Sequence, residues 1–574
     1  MDRRKLFERP LQVINTLITE ENEGGPFKQS TQTPISKYAN EELPQTARSR
    51  AGLSPYTGSW DFAHAAHLLR RTLFGPKAEE IEEALANGLS QTLDRLLTDE
   101  APPSPPLNYY FENDPEVPIG STWINANYMQ GVNGARRRSL RAWWIGLMLH
   151  QPVSLREKMT LFWMNHFVIE HAVVRDARFM YRYLELLRSN AFGNFQRLVE
   201  QVTISPAMLR YLNGNQNTRT RPNENYGREL LELFTIGKGP LIGEGNYTNY
   251  TEEDVREASR VLTGWRDRGY NSRAENYRVQ YRQNQHDTGD KQFSSAFGNA
   301  VISNNNEEEY KDLISMIFAQ TETARFICRK LYRWFVYYVI DEAAEANVIE
   351  PLAQILIDNN FEIKPVLRAL LESEHFFDQI NQGCLIKNPV DFNISTIRQI
   401  DFQMPDSDDL LGQYAAWLYI SNEAEKQQMA ILSPPNVAGW SAYYQEPQFY
   451  ELWINSVTLP SRNQFVDAMV NGVRRSGRTM GLDPLAFVPK VSDPFDPNVF
   501  ITELAQLVFP QTITESQHSF LKNVLLPGLP DYEWSLEYGG YLANPEDKDL
   551  KNAVTARLQA LLRTMFAMAE FHLS

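Results

Sequence analysis

Between Asn223 and Gly237 the chain reads N-E-N-Y-G-R-E-L-L-E-L-F-T-I-G, gathering amides, carboxylates and one arginine at helical spacing. Glu224, Arg228 and Glu232 recur every four residues, and Asn225 stands four before Glu229. These polar stripes share the segment with an apolar face of Leu230, Leu233, Phe234 and Gly237. Aimed into a cleft, such side chains can hold a cation or a hydroxyl-rich ligand and can move protons. Aimed at solvent, they make an ordinary ladder of roughly 0.2–0.5 kcal/mol per pair. Asn223 suits the N-cap of this helix, and Gly237 its left-handed end.

Other residues with chemical capacity lie on both sides. Ser154 and Glu157 predict a capping box, and the helix that follows carries Met159, Phe162, Trp163, His166 and Phe167 on one broad face. His166 is then either a core residue bonded to a carbonyl or a ligand or base oriented by Glu170, with Asn165 and His171 flanking it. The run His286-Asp287-Thr-Gly-Asp290-Lys291 is either polar loop or a turn reaching back over a helical site. Glu372-Ser-Glu-His375 has the Glu-x-x-His spacing of di-iron bundles, but no second copy accompanies it. In Ser433-Pro-Pro-Asn-Val-Ala-Gly-Trp440, a stiff turn, Asn436 and Trp440 are either ligand contacts or core anchors. A Walker loop, a dinucleotide Gly-x-Gly-x-x-Gly, a Gly-x-Ser-x-Gly elbow and a His-Glu-x-x-His pair are all missing from the sequence.

The elements that must position these residues are helical. A chain of 574 residues, 43% hydrophobic and 22% charged, can build a large core. The pattern predicts a mostly α, multi-helix globular fold, with a few short strands confined to an inserted loop region. It divides into an extended arm at 1–58, a helical core at 59–265, an irregular insertion at 266–304, a second helical part at 305–460 and a C-terminal helical region at 461–574. Net charge −15 argues against a nucleic-acid partner, because phosphate contacts need a basic surface. Cys328 and Cys384 leave one bridge open and exclude a disulfide framework. No apolar run reaches the ~18 residues of a transmembrane helix. Met1-Asp-Arg-Arg-Lys-Leu-Phe has the head of a twin-arginine signal without the apolar segment that should follow, which by itself implies a cytoplasmic protein.

Several passages, in this order, resemble the bacterial family catalogued as domain of unknown function 1800. They are His67-Leu-Leu-Arg-Arg-Thr-Leu-Phe-Gly-Pro76, Phe162-Trp-Met-Asn-His-Phe167, Pro206-Ala-Met-Leu209 and Pro222 to Gly237. Tyr250 to Val255, Leu262-Thr-Gly-Trp265, His286-Asp287 and Ser433 to Trp440 complete the set. The resemblance brings no assigned activity. It implies a periplasmic or cell-envelope location, against the reading of the N-terminus. It also implies a sulfatase-like protein partner, of the family catalogued as domain of unknown function 1501.

These readings converge on one polar cleft. Its expected catalytic residues are His166, Glu229, Glu232, His286 and Asp287. Asn165, Asn223, Glu224, Asn225, Arg228, Asn436 and Trp440 are the expected substrate contacts. His166, Glu229 and Glu232 would hold a divalent metal ion such as Mg, Ca, Mn or Fe. The function expected is metal-assisted hydrolysis or modification of an envelope glycan beside the sulfatase-like partner. The alternative is a non-catalytic helical scaffold that docks a partner enzyme.

Overall fold

The helix Arg156–His166 has every residue buried, so it has no solvent face and forms the spine of the fold. The computed structural model describes residues 51–574 apart from 244–245 and 476–477. The twin-arginine head, most of the expected arm and Gly245 lie outside them. Helix Ala177–Ser189 packs on the spine, while Gln130–Leu149 lies along Leu410–Lys426. Gly146 permits that second contact: a Cβ there would stand 2.8 Å from the Trp417 ring. The expected capping box at the spine is only half made. Ser154 Oγ accepts from Arg156 N–H, but Glu157 turns inward and accepts from Trp144 Nε1 at 3.0 Å and Arg188 Nε at 2.7 Å. A buried carboxylate with two donors outcompetes a terminal backbone amide. The box at Thr251 and Asp254 forms in full.

Helices dominate and the protein is mostly α. The strands, however, are not confined to residues 266–304. A hairpin pairs Leu241–Gly243 with Asn246–Tyr247, and a three-stranded sheet joins Phe402–Gln403 to Arg478–Leu482 and Val473–Arg475. Within the expected insertion, Trp265–Arg268 pairs with Arg278–Tyr281, and Lys291–Gln292 with Val301–Ile302. Order also begins before Trp60: Tyr56 N–H donates to the Glu372 carbonyl at 2.8 Å.

The described residues belong to one compact unit. The C-terminal region is tied into it, since Arg70 donates to the Leu507 carbonyl at 3.0 Å and Ile386 pairs with Leu573. Cys328 and Cys384 are both free thiols. His375 of the Glu-x-x-His passage is a pin: Nδ1 bonds the Ala51 carbonyl and Nε2 the Tyr332 hydroxyl, each at 2.9 Å. No described helix is long and apolar enough to cross a membrane.

Candidate functional site

The central segment starts as α-helix over Asn225–Glu229 and widens to a π-helix over Leu230–Thr235. The expected cap at Asn223 is displaced by one residue: Glu224 is the N-cap and makes no side-chain cap bond, while Asn223 Oδ1, one residue earlier, accepts from Asn225 N–H at 3.0 Å in a local turn. Thr235 Oγ1 donates to the Leu230 carbonyl five residues back, and Gly237 (φ 73°) closes the end with a bond to the Leu231 carbonyl at 2.9 Å. The wide turn begins directly after Glu229 and carries Glu232, so the two carboxylates are offset from plain α-helical spacing. Single π turns of this kind recur at functional sites. Gly227 lies against the next helix, Glu252–Val261, where a Cβ would stand 2.7 Å from Ser259 Oγ.

Glu232 is held on both oxygens, by Lys238 Nζ at 2.6 Å and by the Tyr250 hydroxyl at 3.2 Å. Glu229, half-buried, receives no hydrogen bond from the described residues. Burial, then the charge of Glu232, pushes its carboxyl up to about 7, against the pull of Arg228 and Lys238. Tyr211 lies in the same neighbourhood, its phenol pushed up to about 12 by burial and the charges of Glu170 and Glu229. Glu170 thus joins Glu229 around Tyr211, and no bond links it to the His166 ring. Arg228 spans Glu252 through two bonds of 2.7 Å and reaches Glu224 at 3.2 Å. Asn225 is exposed.

The other expected site residues lie elsewhere. His166 donates from Nε2 to the Phe234 carbonyl at 2.9 Å, among the rings of Phe162, Trp163, Phe167, Phe195 and Phe234. Burial holds its imidazole well below the usual range, hence neutral. His286 is fully buried and bonds Glu309 at 2.9 Å, while Lys291 pairs with the same carboxylate at 2.5 Å. Asp287 is clamped by Arg260 at 2.8 and 3.2 Å. Arg228–Glu252 and Arg260–Asp287 sit toward opposite ends of one helix, eight residues or about 12 Å apart along its axis. Asn165 Oδ1 accepts from Trp440 N–H at 2.9 Å and Trp440 is buried, so both anchor the proline turn in the core. Gly439 (φ 99°) is required there, because a Cβ would collide with Asn165. Asn436 bonds within the turn, to Ala438 and Tyr444.

The expected metal ligands do not fit an ion. Among the described residues no three His, Cys, Asp or Glu side chains converge as a ligand set. His166 also spends Nε2 on a carbonyl, inside an aromatic wall.

A family model described as protein of unknown function (DUF1800) matches residues 67–573. The chain belongs to this family. No curated protein and no solved structure matches it.

One further feature could not be revealed by local spacing. A cavity is lined by Arg70, Arg71, Lys158, Arg333 and Lys387, with Asp391 its one carboxylate side chain and Trp334 and Tyr443 among its aromatic walls. Its lining comes from six stretches of chain spread between Arg70 and Ser574. The only hint in the sequence is the adjacent Arg70-Arg71 directly after the apolar pair Leu68-Leu69 of helix Phe62–Thr72.

Proposed function

We propose that the protein is a hydrolase or modifying enzyme that uses Glu229 as its proton-transfer group, acting on a hydroxyl-rich substrate such as an envelope glycan. The carrying observation is Glu229 itself: a half-buried carboxyl without a hydrogen-bond partner among the described residues, raised to about 7. At neutral pH it is about half protonated, so it can give or take a proton in turnover. Glu232, fixed by Lys238 and Tyr250, supplies a second oxygen pair nearby and raises Glu229 by its charge. Two carboxyls with separate tasks suit glycoside chemistry. No step is assigned to a metal. The cell envelope as the place of action, and a sulfatase-like protein as partner, rest on the family resemblance.

The test is Glu229→Gln in a screen of the purified protein against cell-wall glycan fragments and aryl glycosides. The expected result is a loss of about 10²–10⁴-fold in turnover with an unchanged far-ultraviolet spectrum. The parent should show a pH limb near 7. Full activity in Glu229→Gln would sink the assignment. The scaffold reading is favoured by the saturated pairing of His286, Asp287 and Arg228. It predicts no turnover from the parent and undiminished co-purification of a sulfatase-like partner with Glu229→Gln.

A further inference from the structure

Burying a cation costs several kcal/mol unless a partner charge or good acceptors compensate it. The cavity beside the spine concentrates that problem. Arg70, Arg71, Lys158 and Lys387 are all at least nine-tenths buried. Lys158 is ion-paired with Asp391, which also accepts from Asn388 at 3.1 Å. The remaining cations have carbonyls. Arg70 donates to Gln506 and Leu507, and Arg71 to Phe335, Val336 and Asn381. Lys387 donates to Phe571 at 2.8 Å, and no second acceptor among the described residues takes its other two N–H groups. Arg70 Nε and Arg71 Nε have no partner among the described residues. Five cationic side chains therefore face one carboxylate side chain.

We propose that this cavity is a binding site for a small oxyanion of sulfate or phosphate size. The cations supply its charge and donors, and the space sets its size. The free volume is about 40 Å³ on a scale where one water needs roughly 10–15 Å³, room for a compact ion and not for a sugar ring. Trp334 and Tyr443, stacked at 4.3 Å, close one wall. Lys387 fits the same role. Burial, then the charge of Arg70, lowers its ammonium to about 7, with Arg462 and Lys158 acting in the same direction and Asp391 against. A bound anion would restore its proton. His572, close enough to feel Lys387 and Arg462, is held neutral by burial and by those charges.

The site is independent of Glu229, and its test is a thermal-unfolding titration of the full chain. Potassium sulfate or phosphate replaces chloride at constant ionic strength. The expected result is a saturable rise in Tm on the order of a few degrees at a hundredfold excess over Kd. Lys387→Met, or Arg333→Met at the half-buried edge if the first variant folds poorly, should weaken the half-saturation point at least tenfold. Glu229→Gln should bind as the parent does, which separates failure here from failure of the catalytic assignment. Phenyl sulfate and glucose 6-phosphate distinguish the sources. Competition by either marks a head group of a larger ligand, and saturation by the free ions alone marks an enclosed ion site. No saturable shift, or the same shift in both lysine and arginine variants, would overturn the proposal.

Discussion

His286 and Glu229 read alike in the sequence, each a titratable group on a polar run of the kind that builds a cleft. The structure separates them by pairing. Around His286 the buried groups are paired: Glu309 takes both His286 and Lys291, and Asp287 takes Arg260. Around Glu229, neighbours influence the carboxyl by charge but none donates to it. A saturated buried network holds elements together, here the 286–291 turn against helix Glu309–Phe318. A carboxyl left unsatisfied at a half-buried position retains its proton to neutral pH and stays available to a ligand. The contrast is open to experiment at three scales.

The largest effect belongs to the saturated region. Glu309→Gln leaves Lys291, whose side chain is fully buried, without its counter-charge. It should cost about 3–5 kcal/mol in denaturant unfolding. A loss below about 1 kcal/mol would mean that solvent or another group answers Lys291, and the contrast between the two regions would collapse.

The second effect has the opposite sign. A raised carboxyl adds stability that is fully present below its ordinary value of 4.5 and is lost as pH rises through about 7. Glu229→Gln removes that dependence. The variant should therefore gain on the parent across that window, reaching on the order of 1–2 kcal/mol at pH 8, with little difference in acid. Equal pH profiles for the two proteins would show that Glu229 titrates normally.

The sequence carried some of this and not the rest, for identifiable reasons. Caps and turns are local, so Gly237 and the Thr251–Asp254 box were legible from neighbouring residues alone, whereas the cap expected at Asn223 falls one residue later, at Glu224. The mostly helical fold followed from apolar periodicity, and His166 took one of the two roles its apolar face allowed, bonding a carbonyl. The π turn was not legible, because it depends on how Leu230 to Thr235 pack and not on their types. Glu309 stands 23 residues from His286, and Lys387 is remote from Arg70, so their meetings are tertiary. The sheet holding Arg478–Leu482 joins strands from two distant parts of the chain, which period alone cannot pair. The polar stripe was visible throughout. Which of its members lacked a partner was not.

The smallest stability effect is the sharpest probe of what Arg228 does. It is a surface ladder residue by spacing, and its pairs with Glu224 and Glu252 are about a third to a half exposed. Arg228→Ala should cost only about 0.5 kcal/mol. Yet its charge is one of two that hold Glu229 down, Lys238 being the other. Removing it should move the neutral limb of the activity profile to higher pH while the unfolding curve barely changes. A purely structural arginine would do the reverse, lowering stability by more than about 1 kcal/mol and leaving the limb where it was. The two measurements, taken on one variant, decide whether the central stripe is a ladder that happens to contain Glu229 or the electrostatic setting that tunes it.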